Sequence, residues 1–92
     1  MQISGIVVRV LDTKAVGTAG FETREIHIKT EEQYPQTLTI QFTQGKVVEL
    51  DKFVSGQKVK IDINLKGREW TNPSGELTVF NTIQGWKIEE LK

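Results

Sequence analysis

Lys58-Val59-Lys60-Ile61-Asp62-Ile63-Asn64-Leu65-Lys66 places Val59, Ile61, Ile63 and Leu65 on one parity, with a polar residue at every position between them. Successive side chains of a strand point to opposite faces, so a period of two marks a half-buried antiparallel strand. Two runs upstream read the same way. Leu38, Ile40 and Phe42 form an inward set against outward Thr37, Thr39, Gln41 and Thr43, and Ile26 and Ile28 form another. Gln2 to Leu11 is apolar on both parities from Ile6 through Val8, as expected for a strand covered on both sides or bending between two sheets, and Gly5 is a candidate bulge. In the last run, Glu76 to Glu90, Leu77 and Val79 keep one parity while Trp86 and Ile88 keep the other, so a bulge at Gly85 is expected to re-aim the chain.

Between the third and fourth strands, Val47, Val48, Leu50 and Phe53 can share one side of a short helix from about Lys46 to Phe53, ended by Ser55-Gly56. The order strand, strand, strand, helix, strand, strand is the skeleton of an all-β, five-stranded Greek-key barrel whose helix plugs one open end.

Length and composition indicate one domain over residues 1–92, with no linker-like stretch and no internal repeat. The longest apolar stretch, Ile6 to Val8, is far short of the roughly 20 residues that span a bilayer. The N-terminus lacks the basic-then-apolar layout of a secretory signal, and the chain has no cysteine, which fits a reducing cytoplasm and excludes disulfides and thiolate metal sites.

Twelve basic residues meet twelve acidic ones, so no global positive field draws the chain toward phosphate. The distribution is uneven. Lys58, Lys60, Lys66 and Arg68 face only Asp62 within their stretch, which reads either as a solvated strand face whose lysines discourage edge pairing or as a phosphate track. Trp70 lies in Gly67-Arg68-Glu69-Trp70-Thr71-Asn72-Pro73-Ser74-Gly75, which reads as a loop. There it serves either as a stacking clamp for an unpaired base, or as cover for the barrel mouth or a subunit contact. Trp86 shares the parity of Ile88 and is expected in the core or as a barrel-closing residue, and Phe80, out of phase with Leu77 and Val79, is expected on the outer face beside the lysines of the preceding strand or in a second small cluster. Tyr34-Pro35 reads as a loop leading into the third strand, or as a packing lid.

Four segments taken in order carry a resemblance: Glu32-Gln33-Tyr34-Pro35-Gln36, Ile40-Gln41-Phe42, Gly67-Arg68-Glu69-Trp70 and Phe80-Asn81-Thr82-Ile83-Gln84-Gly85-Trp86-Lys87-Ile88. From Phe21 onward the chain resembles a family of short bacterial proteins of unknown function whose fold is similar to the OB domains of single-stranded-DNA-binding proteins. It departs from that pattern at Asn72-Pro73-Ser74-Gly75, matches it only weakly before Phe21, and lacks the long acidic, glycine-rich tail of the replication single-strand binders. The resemblance implies an OB-fold barrel and a role with single-stranded nucleic acid.

In an OB-fold the outward faces of strands two and three form a platform, walled by the loops joining strands one to two and four to five. Here the platform is expected to offer Arg24 or its neighbours, His27, Lys29, Thr39 and Gln41, according to which parity faces out, with the first wall at Asp12 to Gly20, including Lys14, and the second at Gly67 to Gly75, including Arg68 and Trp70. The expected ligand is single-stranded DNA or RNA bound without strong sequence preference, with candidate contacts at Lys14, Arg24, His27, Lys29, Lys66, Arg68, Trp70 and Phe80.

Catalysis is not expected. His27 is the only histidine, Glu31-Glu32 and Glu89-Glu90 read as solvated charges, and no nucleophile elbow, glycine-rich phosphate loop or metal-ligand spacing is present. No cofactor is expected. The competing class is a protein-interaction or structural module acting through strand edges and loops, including a homo-oligomer formed by strand pairing.

Overall fold

The structure is a computed structural model that describes residues 1–17 and 20–91. Its strands are β1 (Gln2–Val10), β2 (Lys14–Val16), β3 (Phe21–Thr30), β4 (Thr37–Thr43), β5 (Lys58–Thr71) and β6 (Leu77–Glu90), with a 3₁₀ helix at Gln44–Lys52 between β4 and β5. The sheet runs in the order β1-β5-β6-β4-β3-β2, and a further pairing joins β1 back to β3. β1, β5, β6, β4 and β3 therefore close a five-stranded barrel, which is the expected Greek-key architecture. β2 is a short addition that pairs only with the start of β3, Lys14 opposite Thr23 and Val16 opposite Phe21.

The period-two runs place the core. Ile26 and Ile28 of β3, Ile40 and Phe42 of β4, and Val59, Ile61 and Ile63 of β5 are buried together with Val7 and with Leu50 of the helix. Each such side chain contributes about 1.5–3 kcal/mol on leaving water. The helix is a 3₁₀ turn that seats Val47 and Leu50 inward, while Val48, expected on the same side, is exposed because a three-residue period eclipses positions 47 and 50 and turns 48 away. Arg24 fastens this plug. Its side chain donates to the Leu11 carbonyl at 2.8 Å and the Val47 carbonyl at 3.1 Å and pairs with Asp51.

Two glycines set close approaches. Gly5 is opposite both Thr30 of β3 and Val59 of β5, and a Cβ there would lie 2.5 Å from the Lys29 carbonyl oxygen, so it marks backbone crowding at a doubly paired point. The bulge expected at Gly5 falls instead between Val7 and Arg9. The bulge at the end of β6 lies where expected: the register passes from Gly85 opposite Ile63 to Lys87 opposite Asp62, leaving Trp86 without a partner. Trp86 is consequently turned outward and 46% exposed rather than buried in the core, while Ile88 returns to the inward face opposite Ile61.

β5 and β6 continue well beyond the barrel. Residues 64–71 of β5 and 77–81 of β6 are exposed throughout, yet paired in unbroken register from Asn64 opposite Gln84 to Thr71 opposite Leu77. β4 touches β6 through a single parallel pair, Gln41 with Gln84, so beyond that point the two strands form a free-standing ribbon, hereafter the arm. Its tip is a tight turn. The Gly75 amide donates to the Asn72 carbonyl at 2.9 Å, the Glu76 amide to Asn72 Oδ1 at 2.9 Å, and Gly75 takes the left-handed φ of 87° that glycine tolerates. The region expected as a loop from Gly67 to Gly75 is thus strand as far as Thr71. The arm also explains the shape: the radius of gyration is 14.7 Å, whereas about 12 Å is usual for a compact chain of this length.

Candidate nucleic-acid interface

Side chains directly opposite across a strand pair share a face, so the registers dictate what the arm presents on each side. Lys66 opposite Thr82, Arg68 opposite Phe80 and Trp70 opposite Thr78 fall on one face. That face is continuous with the outside of the barrel. Gln84 pairs in register with Gln41, its side-chain amide reaches Thr43 Oγ1 at 3.4 Å, and Thr43 is opposite Thr23, which is opposite Lys14 of β2.

A shallow cleft of about 640 Å³ lies where arm and barrel meet, lined among others by Phe21, Gln41, Lys66, Arg68, Phe80 and Gln84. Phe80 is half exposed beside the basic pair, as expected from its parity. Phe21, 41% exposed, was not among the expected contacts. Its signal was available, since it has the same outward parity as Thr23, but it stands before the apolar alternation of β3 begins and reads as part of the preceding loop.

The cations here are uncommitted. Ion pairs among the described residues join Arg24 to Asp51, Lys46 to Glu49, Lys58 to Glu31 and Lys87 to Glu89. Lys14, Lys66 and Arg68 belong to none of these. Glu25, opposite Gln41, is an acidic residue on the same barrel face, Asp62 shares the outward parity of Lys66 farther along β5, and Glu69 lies on the far face of the arm. Away from the cleft, the Glu89 carboxylate holds the exposed Lys87 ammonium above its ordinary pKa by hydrogen bonding and by charge.

The remaining expected contacts are placed elsewhere. Arg24 points inward, 15% exposed, and its guanidinium is consumed in anchoring the helix, so it is not offered to a ligand. His27 is outward and half-buried farther along β3, accepting a hydrogen bond from Arg9 at its Nδ1, 2.7 Å away. Lys29 lines a second groove, of about 650 Å³, with Ile6, Val8 and Pro35. Tyr34, in the segment before β4, is 75% exposed. Of the first wall, residues 18 and 19 lie outside the described residues. Among the described residues, no group of three or more His, Cys, Asp or Glu side chains is placed to hold a metal ion, and no helix is long and apolar enough to cross a membrane.

The fold is shared with a known structure. The crystal structure of the mitochondrial single-stranded DNA binding protein Rim1 of S. cerevisiae superposes with a TM-score of 0.72 at 15% identity, covering 100% of this chain and 93% of that one. At that identity the likeness establishes the OB-fold. No curated protein sequence matches the chain. A family model matches residues 2–89, and so takes in the stretch before Phe21 where the resemblance had been weak. The chain therefore belongs to the family described as the domain of unknown function DUF3127.

Proposed function

We propose that this protein is a non-catalytic module that binds single-stranded nucleic acid along the face running from β2 across β3, β4 and β6 to the arm. The observation that carries the reading is the sorting of the arm: Lys66, Arg68, Trp70 and Phe80 stand on one face, opening onto the cleft. Unpaired cations meet the phosphate backbone, and exposed aromatic rings stack on bases, a mode that tolerates any sequence because every base has a π-face. Trp70 and Phe80 supply two stacking platforms on the arm, and Phe21 a third at the barrel rim. Lys14, Lys66 and Arg68 meet phosphates, while His27 and Lys29 lie beyond the cleft and serve only a longer strand. The OB-fold likeness to the mitochondrial single-stranded DNA binding protein Rim1 supports the same reading.

Titration of a fluorescent thymidine oligomer, followed by anisotropy and by tryptophan emission, tests it. Each lost stacking contact is expected to weaken binding by about 1–3 kcal/mol, so Trp70→Ala and Phe80→Ala should each reduce affinity roughly 5- to 150-fold. Affinity unchanged in the Trp70→Ala, Phe80→Ala double variant would refute the assignment.

A further inference from the structure

The other face of the arm has a different character. Leu65 opposite Ile83, Gly67 opposite Asn81, Glu69 opposite Val79 and Thr71 opposite Leu77 continue the inward parity of Ile61 and Ile63 past the barrel rim. Ile83 still packs against the core, but Leu65, Leu77 and Val79 are 64%, 62% and 57% exposed. An isolated two-stranded ribbon is marginal in water, and this one carries an apolar strip on the side away from its cations.

We propose that this strip is the contact between two copies of the chain, their arms stacked face to face and antiparallel about a two-fold axis. An axis lying in the contact plane and across the strands stacks β5 on β5 and β6 on β6 with directions reversed. About such an axis Leu77 at the tip of each arm meets Ile83 at the root of the other, Leu65 meets Thr71 and Val79 meets Asn81, each contact being made twice. Near the axis, Glu69 of each copy lies over Gly67 of the other, where the absence of a side chain leaves room. Asn81 Oδ1 lies 3.5 Å from the position a Gly67 Cβ would take, so the Asn81 side chain borders that gap, and a turn of its carboxamide brings the Nδ2 donor in place of Oδ1 to meet the incoming carboxylate. Glu69 is the formal charge on this face, and it disfavours a polyanion there while the Asn81 amide of a second copy satisfies it. The contact is independent of the nucleic-acid reading, because it uses only the opposite parity of the arm.

Sedimentation equilibrium without nucleic acid, on the full chain, tests the proposal. The wild type is expected to dimerise, and Leu77→Lys with Val79→Lys to be monomeric with an unchanged circular-dichroism spectrum, since both positions are exposed. Asn81→Asp sets a carboxylate against Glu69 of the other copy and is expected to weaken the dimer by roughly tenfold or more while leaving the apolar strip intact. A wild type still monomeric at roughly 100 µM overturns the proposal. A charged double variant that dimerises as tightly as wild type does so too. An Asn81→Asp chain that dimerises as tightly as wild type overturns the antiparallel register.

Discussion

Gly85 has no room for a side chain: a Cβ there would lie 2.5 Å from Cζ and 2.7 Å from Cε2 of the fully buried Phe42. Gly85→Ala must displace a ring held on all sides, so it is expected to cost about 1–3 kcal/mol by overpacking, measured by urea unfolding. Arg24 makes a complementary case. Its Ala variant leaves the Leu11 and Val47 carbonyls without their donor and frees the helix from β3, for a loss of about 1.5–3 kcal/mol. Because its guanidinium faces inward, Arg24→Ala is expected to leave oligonucleotide affinity unchanged in protein that remains folded. Trp70→Ala should show the reverse, with stability within about 0.5 kcal/mol of wild type, as is usual at exposed positions, and reduced affinity. The residue type alone could not separate Arg24 from Arg68. Both are arginines beside strand residues, and only the helix folding back over the barrel end shows which is engaged.

At the scale of the element, the arm was the least legible part of the chain. Period-two alternation reports burial of one face, and that signal ends at Leu65, because Gly67, Glu69 and Thr71 take the inward positions where no core remains to be covered. With neither face buried, and Gly67 and Asn72-Pro73-Ser74-Gly75 nearby, the segment resembles loop; Asn-Pro-Ser-Gly in fact occupies only the turn. Trp86 was misplaced for a related reason. A parity count assumes an unbroken register, and the bulge that Gly85 did foretell adds one residue and turns the indole outward. The barrel strands and the helix position were legible because their alternation is enforced by a real core. The cleft was legible in part, through Gln41, Lys66, Arg68 and Phe80. A consequence of the arm's construction is that Gly75→Val, which demands a left-handed φ of a β-branched residue, should fray the tip. We expect weaker amide protection in hydrogen exchange at residues 69–71 and 77–79, with the barrel unaffected.

For the whole molecule, a net charge of zero means that attraction to nucleic acid has to come from local arrangement rather than a global field. Three uncommitted cations on one face are enough for salt-sensitive binding and too few for tight binding without stacking. Counterion release from a single strand gives a slope of about −0.7 per phosphate contact in a plot of log K against log salt, so Lys14, Lys66 and Arg68 together predict a slope near −2. The salt dependence of thymidine-oligomer affinity, in the wild type and in Arg68→Ala and Trp70→Ala, therefore tests the central claim most directly. The slope is expected near −2 in the wild type, shallower by about 0.7 in Arg68→Ala, and unchanged in Trp70→Ala although its affinity falls. Absence of binding at low salt, or a slope indifferent to Arg68, would contradict a nucleic-acid interface on this face of the arm.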